Sequence, residues 1–111
     1  MPINPKTLVQ AKSVEQVQTT QYTVTTTATI IDKMTATNYS AAVRTISVNL
    51  VPAGQVAGDS NLIVKTKTLQ PAETYTFPEI VGHTLMTGDS ISTLGSLAAS
   101  MNLRVSGREI S

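Results

Sequence analysis

From Tyr22 to Ile30 the chain alternates between two kinds of residue. Tyr22, Val24, Ala28 and Ile30 fall on one parity, with Thr26 their single polar member, while Thr23, Thr25, Thr27 and Thr29 occupy the other. A period of two belongs to a strand with one buried face and one wet face, as in a layer of an antiparallel sheet. The spacing predicts one strand from Tyr22 to about Ile31, bent at Asp32-Lys33 and resumed on the same parity by Met34 and Ala36. β-Branched threonine favours strands and makes a sheet face soluble without charge.

The same period recurs further on. Val43 to Val51 places Ile46, Val48 and Leu50 inward and Thr45, Ser47 and Asn49 outward, and Pro52 ends the run. Pro52 to Ser60 is the longest loop, bracketed by Gly54 and Gly58. Leu62 to Leu69 reads as a strand with Lys65 and Lys67 on one face, and Thr74 to Phe77 as a short one closed by Pro78. Glu79 to Met86 suggests a helical turn or irregular crossover stopped by Gly88. Ser90 to Leu94 and Met101 to Val105 follow as strands, and Gly107 is expected to bend the tail. Together these give about seven to nine short strands, with turn signals roughly every 8 to 12 residues. The expected fold is all-β, a jelly-roll-like antiparallel β-sandwich, with no helical period beyond two turns.

Residues 1–20 differ in composition. Pro2 and Pro5 oppose early regular structure, and Gln10, Gln16 and Gln18 make the segment polar. It is expected to be an extended N-terminal arm with one short strand, packed on the sheet or reaching a neighbour, ahead of a single domain over residues 21–111. At 111 residues the chain should bury roughly 65% of its unfolded surface. With 4% aromatic residues and no tryptophan, that core must be aliphatic and thin. The net charge of +1 and 14% charged residues give no clustered base for nucleic acid, and they tolerate close self-assembly. No stretch has the length of a membrane span. The absence of cysteine and of an apolar leader points to production in a cytoplasm.

Chemistry-bearing residues are few. Gly88-Asp89-Ser90-Ile91 resembles the nucleophile block of Gly-Asp-Ser-Leu esterases. It lies late in the chain, however, and its only available base, His83, has no orienting carboxylate in the sequence pattern. Gly58-Asp59-Ser60 repeats the tripeptide, and a turn leading into a strand explains both copies. One histidine without cysteine does not make a zinc site, and Asp59, Asn61, Glu73, Glu79 and Asp89 lack calcium-loop spacing. Lys65 and Lys67 fit edge-strand lysines that block unwanted pairing, or a contact with an acidic surface. Of the three tyrosines, Tyr22 and Tyr75 fall on inward parity, leaving Tyr39 in a turn as a stacking residue for sugar.

Leu50-Val51-Pro52-Ala53-Gly54, Ala57 to Ile63, Leu69 to Tyr75, Pro78 to Gly82 and the terminal Leu103 to Ile110 carry a resemblance. Over about residues 22–111 the chain resembles the capsid decoration proteins, also called staple or cement proteins, of epsilon15-like short-tailed bacteriophages. The resemblance implies a homodimer of jelly-roll sandwiches on the outside of a virion, clamping neighbouring major capsid subunits, with no catalytic residues, cofactor or small-molecule substrate. Expected contact residues, to the shell or to a second copy, are Pro2, Lys6, Leu8 and Val9 in the arm, with Lys65, Lys67, Arg104 and Arg108. A carbohydrate-binding or host-adhesion module of a phage particle is the alternative on the same fold.

Overall fold

The structure is a computed structural model that describes residues 2–111. Nine strands account for nearly all regular structure: β1 (Ile3–Ser13), β2 (Thr19–Thr23), β3 (Ala28–Asn38), β4 (Arg44–Val51), β5 (Leu62–Leu69), β6 (Thr74–Tyr75), β7 (Thr84–Met86), β8 (Ser90–Gly95) and β9 (Met101–Ile110). They form two antiparallel sheets. Sheet A runs β1-β9-β3-β6, with β7 also pairing β3, and sheet B runs β2-β8-β4-β5. With β6 and β7 taken as one interrupted strand, this is the strand order of a jelly roll.

The inner faces meet in an aliphatic core. Ile31, Met34, Ala36, Leu103 and Val105 from sheet A pack against Ile46, Val48, Leu69 and Ile91 from sheet B, all nearly inaccessible. Phe77, the one phenylalanine, is fully buried and meets Tyr75 edge-on at 4.8 Å. Tyr22 and Tyr75 both pack against this core, as their parity predicts.

Several local expectations need correction. The run from Tyr22 to Ile30 is two strands in different sheets. Thr25 to Thr27 turn the corner, while Val24 is held by backbone bonds to Gly88 and Asp89. The parity of β3 then reverses, because Asp32 sits in a bulge between pairs Ile31–Gly107 and Lys33–Ser106. Thr29 and Ile31 therefore point inward before the bulge and Met34 and Ala36 after it. Thr29, assigned to the wet face, is fully buried.

A second bulge separates Lys65 from Lys67. Val64 pairs with Val48 but Lys67 with Ile46, and Thr66 takes a φ of 45°. The two lysines consequently face opposite sides: Lys67 turns inward at the edge, 4.7 Å above the Tyr75 ring. Residues 78–82 do form a turn, but 84–86 are strand β7. Gly107 bends nothing. It lies within β9 between Lys6 and Ile31, where a Cβ would come 2.2 Å from the Ile30 carbonyl oxygen.

The N-terminal segment is not a separate arm. β1 pairs along its length with β9, from Ile3–Ile110 to Ser13–Asn102. Leu8, Val9 and Val14 anchor it in the core. Pro5 is tolerated because an edge strand needs hydrogen bonds on one side only.

Candidate docking faces

The two outer faces differ in kind. On sheet B, the loop after β4 folds back over the strands. Asn49 Nδ2 donates to the Gly58 carbonyl at 2.9 Å and to Asn61 Oδ1 at 2.7 Å, and Asn61 Nδ2 donates to the Val56 carbonyl. Gln18 closes the other side by donating to Ser92 Oγ at 2.7 Å. Asn49 and Ser92 thus point outward yet are buried beneath a polar roof. Each buried amide has its partners, as burial away from water demands.

Among the described residues, sheet A has no such roof. Residues directly opposite across strands share a face, so the register reads out its surface row by row. Ile3, Ile110, Ala28 and Met86 form the first row, and Pro5, Arg108, Ile30 and Thr84 the second. Ile3 is 56% and Met86 54% exposed. This end of the face is apolar, and an ion pair, Arg108 to Asp32 at 2.9 Å, lies beside it. Further along, Lys33, Thr35, Thr37, Asn102, Arg104 and Ser106 line a groove of about 360 Å³.

A polar cluster holds this face to the sandwich from behind. Tyr22, on sheet B, donates its hydroxyl proton to Glu109 Oε2 at 2.6 Å. Its one proton is then committed, so it accepts from Thr29 Oγ1 at 2.8 Å. Lys6 Nζ lies 3.3 Å from the other carboxylate oxygen. Burial, then the neighbouring carboxylate, push the Tyr22 phenol up to about 12. The Tyr22 hydroxyl holds Glu109 below the usual carboxylate range; burial opposes this and Lys6 adds to it.

Of the contact residues expected from sequence, Arg104 and Arg108 share the outer face of sheet A, Pro2 lies just before β1, and Lys6 is on the opposite side of β1, paired with Glu109. Leu8 and Val9 are in the core and offer no surface. Lys65 and Lys67 lie on β5, the far edge of sheet B. Lys33, Ile3 and Met86 were missed. In the sequence Lys33 marks only a bend, and the two apolar residues gain meaning from strand partners distant in sequence.

The Gly-Asp-Ser copies are both turns. Asp89 accepts from the Ala53 and Met86 backbone N–H groups at 3.0 and 2.9 Å, and Asp59 opens a 3-10 turn ending at Asn61. Ser90 and His83 line different hollows. Tyr39 is half exposed, its hydroxyl 3.2 Å from Ser13 Oγ. Among the described residues no three His, Cys, Asp or Glu side chains gather as a metal site, and no helix is long and apolar enough to cross a membrane. No family model, curated protein or solved structure matches the chain.

Proposed function

We propose that the protein is a capsid decoration protein, made in the host cytoplasm and bound to the outer surface of a bacteriophage shell, where it staples neighbouring major capsid subunits. The observation that carries this reading is the unroofed outer face of sheet A, apolar at one end and cationic at the other. The sequence resemblance described above supplies the shell as partner. A 45 × 26 Å outline accommodates the roughly 800 Å² that one partner contributes to a standard interface.

The mechanism is additive adhesion. Each copy removes Ile3, Met86 and Ile110 from water against the shell, and apolar burial contributes about 25 cal/mol per Å² before the costs of association. A homodimer grips two subunits at once, so the second contact becomes intramolecular and weak single contacts add up. Icosahedral symmetry repeats the clamp over every equivalent joint. No chemical step is involved.

The test uses shells assembled without this chain. Added wild-type protein should co-sediment with them and raise the temperature at which they release their contents. A variant carrying Ile3→Asp and Met86→Asp should do neither while keeping its own fold by circular dichroism. Shells that neither bind the wild-type chain nor gain heat resistance from it would remove the proposal.

A further inference from the structure

The groove on sheet A contains more than a shape. Lys33 pairs laterally with Ser106, and Arg104 with Thr35, which makes Lys33 and Arg104 diagonal neighbours on adjacent strands. Diagonal neighbours lie about 7–8 Å apart. Neither forms an ion pair among the described residues. Arg104 makes one long contact, 3.5 Å to Thr7 Oγ1, which leaves most of its guanidinium donors free. Asp32, which precedes Lys33 in sequence, is already held by Arg108. Two cations with no counter-charge thus share a groove furnished with the hydroxyls of Thr35, Thr37 and Ser106 and the amide of Asn102.

We propose that this groove binds an extended acidic peptide segment of the partner protein, with carboxylates at alternate positions seated on Lys33 and Arg104. The spacing is the reason for choosing this ligand. An extended chain rises about 3.3–3.4 Å per residue, and its alternate side chains project to the same side, so acidic residues i and i+2 leave the backbone about 7 Å apart on one face. That matches the spacing at which Lys33 and Arg104, as diagonal neighbours, leave the sheet. Adjacent acidic residues in such a chain point to opposite sides and engage only one. A single compact oxyanion holds its charge at one centre and cannot span both cations. Each carboxylate has lone pairs beyond those its cation fills, and the Thr35 and Ser106 hydroxyls and the Asn102 amide in the groove are donors of the kind that would fill them. Beyond the groove, the apolar row of Ile3, Ile110 and Met86 continues the same face, so an apolar residue further along the segment also finds a seat.

The inference deepens the docking role proposed above and rests on it for the identity of the partner, but its chemistry is testable on the isolated protein. The probes are two short peptides of equal charge, one with two glutamates separated by a serine and one with the two glutamates adjacent, each at low salt. Sodium sulfate and a uronic acid disaccharide serve as rival anions. Binding is followed through backbone amide shifts of the labelled full chain. The alternating peptide should shift amides in Lys33 to Thr37 and Asn102 to Ser106. It should bind several-fold more tightly than the adjacent one, and it should lose about ten-fold in the Lys33→Ala, Arg104→Ala double variant. Both positions are exposed, so the variant is expected to fold. Equal binding of the two peptides, tighter binding of sulfate or uronic acid, or unchanged affinity in the variant would overturn the proposal.

The two readings fail separately. If the double variant decorates shells like wild type and the peptide preference is absent, the groove assignment falls and decoration stands. If the peptide preference holds but no shell is bound, the groove stands and decoration falls.

Discussion

Replacing Tyr22 by phenylalanine probes the cluster that ties sheet B to the back of the docking face. The ring and its packing stay; only the hydroxyl leaves. Glu109 then loses a 2.6 Å charge-assisted hydrogen bond and Thr29 loses its acceptor, while Lys6 at 3.3 Å remains. A hydrogen bond to a charged group contributes about 1.5–3 kcal/mol. The lower end applies here, because the Glu109 side chain keeps 11% of its exposure and can draw in water. For a domain of this size about 1.5 kcal/mol corresponds to a fall in Tm of roughly 6–10 °C. The pH dependence follows from the directions of the two shifts. Glu109 is held low, so its contribution is present above the unfolded carboxylate range and disappears as pH falls through its folded value. Tyr22 is raised to about 12, so its contribution is present below the unfolded phenol value and disappears as pH rises through the folded one. The stability gap between wild type and Tyr22→Phe, measured by urea denaturation, should therefore be level from about pH 5 to 10 and narrow on both sides. A double-mutant cycle with Glu109→Gln should show coupling of the same order as the hydrogen bond. A gap below about 0.5 kcal/mol at neutral pH, the scale of an ordinary surface change, would refute the role given to this cluster.

Three further outcomes follow from the same structure. Gly107→Ala must place a methyl group 2.2 Å from the Ile30 carbonyl oxygen, so it should cost about 3 kcal/mol or prevent folding, whereas Gly58→Ala, with open space around it, should leave Tm nearly unchanged. Asn49→Ala removes both bonds that pin the loop over sheet B; limited proteolysis should cut between residues 52 and 60 faster, with sheet A unaffected. Deleting residues 2–18 removes β1 with Leu8, Val9 and Val14, so loss of shell binding should be accompanied by loss of cooperative unfolding in a thermal scan. Retention of a sharp transition would mean that β1 is dispensable.

The sandwich itself was legible because alternation in β4, β8 and β9 is local and survives in the fold. Bulges were not. One extra residue at Asp32 reverses which side of β3 is buried, and another at Thr66 parts Lys65 from Lys67. Neither leaves a mark in hydropathy, because the pattern simply resumes out of phase. The Thr25–Thr27 corner was hidden for the opposite reason: alternation continues through it although the chain changes sheets. Gly107 was misread because a glycine needed for close backbone approach looks like one needed for a turn. Half of the candidate face was also readable. Arg104 and Arg108 alternate outward along β9 as a strand requires, but Ile3, Lys33 and Met86 join them only through pairings between distant segments.

Met86 offers the most direct measurement of the central claim, that the outer face of sheet A is the adhesive one. It is 54% exposed, while Met34 and Met101 are fully buried and serve as internal references. Its rate of oxidation by dilute peroxide is to be compared for the free protein and for protein bound to shells. Binding should slow Met86 oxidation several-fold and leave Met34 and Met101 unreactive in both states. Oxidation of Met86 on the shell at the free rate would contradict it.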